Sequence, residues 1–233
     1  MTTKSRRDQL FLLQITDSVF PIGAYSHSFG LETYVQYDLV NDSATAYDFI
    51  DAWFRYSFLY SDLLAASLAY DYGTKKDLDG LDELENLLEA SRIPREIRDA
   101  TRKLGSRFCK LLTTVTNAEE HVFFHQYMNW RAGESTCHPS AYGVFCSELA
   151  VEKDDMLLRF LYAQASAMVT NAVKSIPLSQ TEGQHILVAL YPMLDQLVDD
   201  VKSLTVDKLC ASVPGFDMRC MEHEHLYSRL YMS

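Results

Sequence analysis

Apolar residues recur at three- and four-residue steps along most of this chain, a period that an α-helix satisfies and a strand does not. Phe49, Ile50, Trp53, Phe54, Leu64, Ala65 and Leu68 keep those steps and predict one long helix from about residue 45 to 72. Ile97, Leu104, Phe108, Leu111 and Leu112 repeat the pattern after Pro94, which suits a first helical turn because its missing N–H costs nothing there. Further helices are expected near 119 to 130, 140 to 150 and 154 to 175, the last ending before Pro177, since a residue preceding proline is pushed out of helical space. Ser179 and Glu182 then make a Ser-x-x-Glu capping box. Ile186, Leu187, Leu190, Leu194, Leu197, Val198 and Val201 form the stripe that follows, with Pro192 expected to kink the helix. No alternating strand pattern, tandem repeat or low-complexity linker breaks this organisation. The expectation is an all-α single domain over residues 1–233, a bundle of about 8–10 helices, with Gly73 to Gly80 as the most exposed loop.

Composition narrows the function. The 233 residues are 48% apolar, enough for a sizeable core. Acidic side chains outnumber basic ones 32 to 21, so the summed field repels phosphate and argues against nucleic-acid binding. The five cysteines are widely spaced and never form Cys-x-x-Cys, which signals neither a disulfide framework nor a zinc knuckle and fits a reducing compartment. Met1 to Leu10 is polar and basic, and Phe11 to Ile15 is too short an apolar run for a signal sequence or a membrane span. A cytoplasmic protein without a membrane partner is expected.

The stretch Val19 to Tyr34, VFPIGAYSHSFGLETY, mixes helix breakers, aromatics and a histidine. Pro21 and Gly23 forbid a simple helix there, so Tyr25 and His27 are expected on a turn or helix start, facing a partner or forming an ordinary corner. Ser26 beside His27 does not make a serine hydrolase, because the flanking glycines of a nucleophile elbow and the sheet beneath it are missing. His121 and His125, four apart, read as surface histidines, since Glu120 precedes the first and the order is not His-Glu-x-x-His. Cys220, His223 and His225 are the candidate metal ligands by residue type, although no fourth ligand is fixed by spacing. His138, in HPSAYGVF, reads as opening a helix through a capping turn with Pro139. Lys174, in AVKSIPLSQTEGQ, either complements a helix C-terminus or is displayed to a partner at an interhelical corner. At the end of the chain, Leu226, Tyr227, Arg229, Leu230 and Tyr231 combine types enriched at interface hot spots. Ordering the last seven residues, YSRLYMS, costs on the order of 7 to 14 kcal/mol, so only substantial burial would hold that tail still.

With those residues in view, the sequence closely resembles the urease accessory protein F family. The likeness rests on VFPIGAYSHSFGLETY, His138 to Phe145, LYAQASAMV from Leu161, KSIPLSQTEGQ from Lys174 and the terminal YSRLYMS, in the family's order and at about its spacing. It spans nearly the whole chain, with little motif between Gly73 and Cys137. The resemblance implies an all-α, non-enzymatic homodimer that binds accessory protein D (also called H) and recruits the GTPase accessory protein G. The complex would couple GTP hydrolysis to nickel delivery into apo-urease, with no cofactor held by this chain itself. Carried over by motif, Tyr25, Lys174 and Arg229 would face the GTPase and Tyr162 would lie in the dimer contact. The tail, 226–233, would gain order only in the complex. Many family members have glycine where this chain has Phe29. The alternatives are a generic dimeric helical adaptor and a Cys/His metal-binding protein.

Overall fold

The computed structural model describes residues 3–211 and 214–233, and among these it holds helices and no strand. In chain order they are α1 (Thr3–Thr16), α2 (Leu31–Gln36), α3 (Ser43–Trp53), α4 (Leu64–Lys75), α5 (Leu78–Ser91), α6 (Arg95–Val115), α7 (Val122–Trp130), α8 (His138–Ser147), α9 (Lys153–Ser175), α10 (Gln180–Lys202) and α11 (Pro214–His223). Asp42 starts the rod that the apolar stripe predicts: its carboxylate accepts the Thr45 N–H, and the Thr45 hydroxyl caps back onto the Asp42 N–H. The rod continues from α3 through a π-helical stretch, Phe54–Leu63, directly into α4. Counting it once leaves ten helices among the described residues.

Short α8 is the axis of the core. Every residue from His138 to Cys146 is buried, and the Tyr142 ring stacks on Phe160 of α9 at 4.8 Å. A helix buried on all sides needs small residues where neighbours press closest. A Cβ on Gly143 would stand 2.4 Å from the Ala66 carbonyl of α4, and one on Gly73 would stand 2.3 Å from Ser147 Oγ. This contact corrects the expectation of an exposed loop from Gly73 to Gly80. Both glycines lie in helices, and the connection shrinks to Lys76, in a left-handed turn, and Asp77, which caps α5 through the Gly80 N–H.

α9 and α10 lie side by side. α9 stops where Ile176, extended ahead of Pro177, leaves helical space. The Ser179–Glu182 capping box then opens α10, which runs through Pro192 to Lys202. Pro94 sits one residue earlier than expected, as the extended residue before α6 rather than within its first turn. None of the described helices is long and apolar enough to cross a membrane.

Of the two histidines read as surface residues, His125 is half-buried and His121 is buried, while His138 opens α8 with Pro139 in its first turn as expected. His121 is buried against Phe145 and Phe11, with ring centroids 4.8 and 6.2 Å away, because the apolar face of α1 covers it. His138, also buried, meets Phe108 and Phe160, and this apolar setting lowers its pKa from the ordinary 6.5 to about 4. Above pH 6.5 the ring is neutral whether the chain is folded or not. Between 6.5 and about 4 the unfolded chain takes up a proton that the folded one refuses, so stability falls as pH falls. The loss from this one ring reaches ~3 kcal/mol by pH 4. Urea unfolding of His138→Gln should show a correspondingly shallower decline from pH 6.5 to 4 than the native chain.

Candidate partner-docking site

Three motif segments far apart in sequence meet at the C-terminal end of α9. The first is the Val19–Tyr34 stretch, which turns twice through left-handed glycines, Gly23 at φ 90° and Gly30 at φ 89°. Between them, Ala24–Ser26 form a single 3-10 turn that leaves Tyr25 63% exposed. Phe29 also takes a positive φ of 52°. Its ring packs against Trp53 at 5.7 Å, and that contact offsets the backbone strain.

The second segment is the tail. Ser28 N–H and Oγ both donate to the Ser233 carbonyl, at 2.6 and 2.8 Å, and Met232 N–H donates to the Ser26 carbonyl at 2.8 Å. His27 Nδ1 lies 2.9 Å from Ser233 Oγ. Burial first, then the nearby Lys103 and Arg107, lower the His27 pKa to about 4, so that ring stays neutral. Tyr231 is buried and reaches the Asn171 carbonyl of α9, while the Asn171 amide donates to the His27 carbonyl at 2.9 Å.

Glu32, buried near the start of α2, ties the tail down. Its carboxylate accepts the backbone N–H groups of Leu230 at 2.7 Å and Tyr231 at 3.0 Å, and faces His223 Nε2 at 3.1 Å. The other ring nitrogen of His223 lies 2.6 Å from Glu96 of α6, which also pairs with Arg229 at 2.6 Å. The His223 ring thus bridges α2, α6 and α11. Gln36 adds a bond to the Ser228 carbonyl. Because the tail is pinned through backbone groups, Tyr227 and Leu230 point their side chains into solvent.

The same contacts place Cys220, His223 and His225. His223 has both nitrogens engaged by carboxylates, His225 is exposed, and Cys220 is buried against Gly30 with its thiol pushed up to about 12 by burial. The three do not converge, and no group of three or more His, Cys, Asp or Glu among the described residues is placed to hold a metal ion. Residue type suggested them; the carboxylates that claim the imidazole come from α2 and α6.

The third segment is the end of α9. Lys174 is exposed on its last turn and lines, with Tyr25, Thr170 and Asn171, a cleft of about 240 Å³. Arg229, His27, Lys103 and Tyr231 line a second cleft, of about 400 Å³, on the other side of the same turn. Tyr25, Lys174, Arg229, Tyr227 and Leu230 are thus gathered around one corner. Leu226 is half-buried at the base of the tail and Tyr231 faces inward, so these two support the corner rather than display it. Glu32, Glu96 and Asn171 were not singled out by sequence, although Glu32 lies inside the first motif.

Tyr162 is elsewhere. It precedes Lys174 by twelve residues on α9, about 18 Å along the axis. With Tyr191, Leu13, Leu158 and Leu194 it lines an apolar groove of about 640 Å³ between α1, α9 and α10.

Comparison with known proteins covers most of the chain. A family model described as UreF matches residues 40–191. The chain is 37% identical over 225 residues to the urease accessory protein UreF of Actinobacillus pleuropneumoniae serotype 5b (strain L20), covering 95% of this chain and 97% of that one. It is 35% identical over 226 residues to the protein of the same description from Bacillus sp. (strain TB-90), covering 96% and 98% of the two chains. For that from Geobacillus kaustophilus (strain HTA426) the identity is 33% over 225 residues, covering 96% and 97%.

Proposed function

Because this chain belongs to the urease accessory protein F family, and so is an accessory protein of urease, we propose that it acts as a non-catalytic scaffold in urease maturation. In this reading it binds accessory protein D (H) and recruits the GTPase accessory protein G in the cytoplasm. GTP hydrolysis on the recruited protein is thereby coupled to nickel insertion into apo-urease, nickel being cargo of the complex. The observation that carries the reading is the meeting of Tyr25, Lys174 and the tail at one corner, although they lie up to about two hundred residues apart in the sequence. Aromatic, aliphatic and guanidinium groups gathered at one corner are the chemistry of an interface hot spot. The five cysteines are all free thiols, in keeping with a reducing compartment.

Arg229→Ala should weaken recruitment of the GTPase by about 2 kcal/mol or more, roughly thirty-fold in affinity. Titration of the chain, complexed with D, against G would measure it; unchanged affinity would refute the assignment.

The apolar groove around Tyr162 supports self-association, leaving the Tyr25 corner free. Leu13, Leu158, Tyr162 and Tyr191 are all substantially exposed there, an apolar patch that burial in a second copy would remove from water. Tyr162→Asp should convert a dimer to a monomer in sedimentation equilibrium without a change in helix content. A dimer that persists in that variant would remove the groove from the interface.

A further inference from the structure

We propose that Lys103 and Arg107 of α6 extend the docking corner into a basic face that receives an acidic protein surface, a deepening that rests on the scaffold reading above. The chain carries a formal net charge of −11, so a cluster of cations without carboxylate partners is an exception that needs a cause. Three of the six α6 cations are engaged within the chain. Arg95 pairs with Glu224 at 2.6 Å, Arg98 donates to the Arg92 carbonyl at 2.8 Å, and Arg102 pairs with Glu89. Lys103 and Arg107, four residues apart on one face of the helix, are exposed and form no ion pair among the described residues.

Their positions are specific. Arg107 lies across the start of the Tyr25 turn: its guanidinium donates to the Ile22 carbonyl at 3.2 Å, and a Cβ on Gly23 would stand 2.6 Å from it. Lys103 lines the cleft that also holds His27, Arg229 and Tyr231. The carboxylates of that cleft are Glu96, taken by His223 and Arg229, and Asp99, whose nearest cation is Arg102 at 4.0 Å. Lys174 stands across the turn, again without an ion pair among the described residues. The lowered pKa of His27, to which both α6 cations contribute after burial, reflects the same positive field. A patch of this sign on an acidic molecule orients an acidic protein partner and speeds its encounter, while the surrounding net charge turns polyanionic nucleic acid away.

The test uses the full chain bound to D, titrated with G at low and moderate salt, comparing native, Lys103→Glu/Arg107→Glu, Lys103→Arg/Arg107→Lys and Arg229→Ala chains. The double glutamate variant should lose at least tenfold in affinity, mostly in association rate, and the loss should shrink as salt rises. The charge-conserving pair should bind as the native chain does, and all four should melt alike. Native affinity in the double glutamate variant, with binding lost in Arg229→Ala, would overturn the basic face and leave the scaffold reading intact. A salt-independent loss, or an equal loss in the charge-conserving pair, would overturn the charge argument. So would a defect confined to binding a single-stranded RNA probe. Failure of the native chain to bind G would overturn both readings.

Discussion

Replacing Gly105 by alanine is expected to destabilise the protein by about 3 kcal/mol or more, the upper end of what overpacking a core costs. In an exposed helix interior the same change would stabilise by up to about 1 kcal/mol, because alanine is the better helix former. Here the new methyl carbon would stand 1.8 Å from the Thr136 carbonyl oxygen and 2.9 Å from the Cys137 carbonyl carbon. Those are backbone atoms, and they cannot retreat cheaply. Cys137 N–H is held by Glu85 at 2.9 Å, the Ser135 carbonyl by Arg131 at 2.9 Å, and Ser135 Oγ by Glu89. Glu85 is itself buried with Tyr127 donating to it, and burial raises its pKa. To admit one methyl group, α6 must move off the segment that leads into the central helix α8. Equilibrium urea unfolding measures the effect; a variant as stable as the native chain would mean that α6 and the 135–137 segment are not in contact.

Glu32→Ala should be nearly as damaging globally, and locally more so. Removing the carboxylate leaves His223 Nε2 and the N–H groups of Leu230 and Tyr231 without their partner in a buried site. Leaving a buried polar group without its partner costs about 1–3 kcal/mol for each group. Here the chain has a cheaper escape: the tail releases, and water reaches the orphaned groups. The expected signature is therefore loss of hydrogen-exchange protection at Leu230, Tyr231 and Met232, accompanied by an affinity loss for the GTPase at least as large as that of Arg229→Ala. Protection unchanged at those three amides would show that Glu32 does not hold the tail.

The parts legible in the sequence are those governed by local rules. The Ser43–Lys75 rod, the stop of α9 before Pro177 and the Ser179 capping box follow from periodicity, proline sterics and a four-residue signature, and each is present. α5 also kept helical spacing through Leu81, Leu84 and Leu88, but two glycines at its approach suggested a loop; one packs against Ser147 and the other lies within the first turn. The docking corner was legible only as fragments. Tyr25, Lys174 and Arg229 were named individually through the family motifs, whereas their meeting depends on bonds such as Leu230 to Glu32, 198 residues apart. No local pattern encodes a contact of that range. For the same reason the Cys220, His223 and His225 cluster looked like ligands in one dimension, while in three the imidazole belongs to two distant glutamates.

The corner's function is tested most directly by co-expressing the chain with accessory proteins D and G, with and without residues 227–233, and determining the composition of the complex by sizing chromatography and mass analysis. The scaffold account requires the native chain to bring down both partners and the truncated chain to keep D while losing G. A truncated chain that still recruits G, or a native chain that recruits neither, would contradict it.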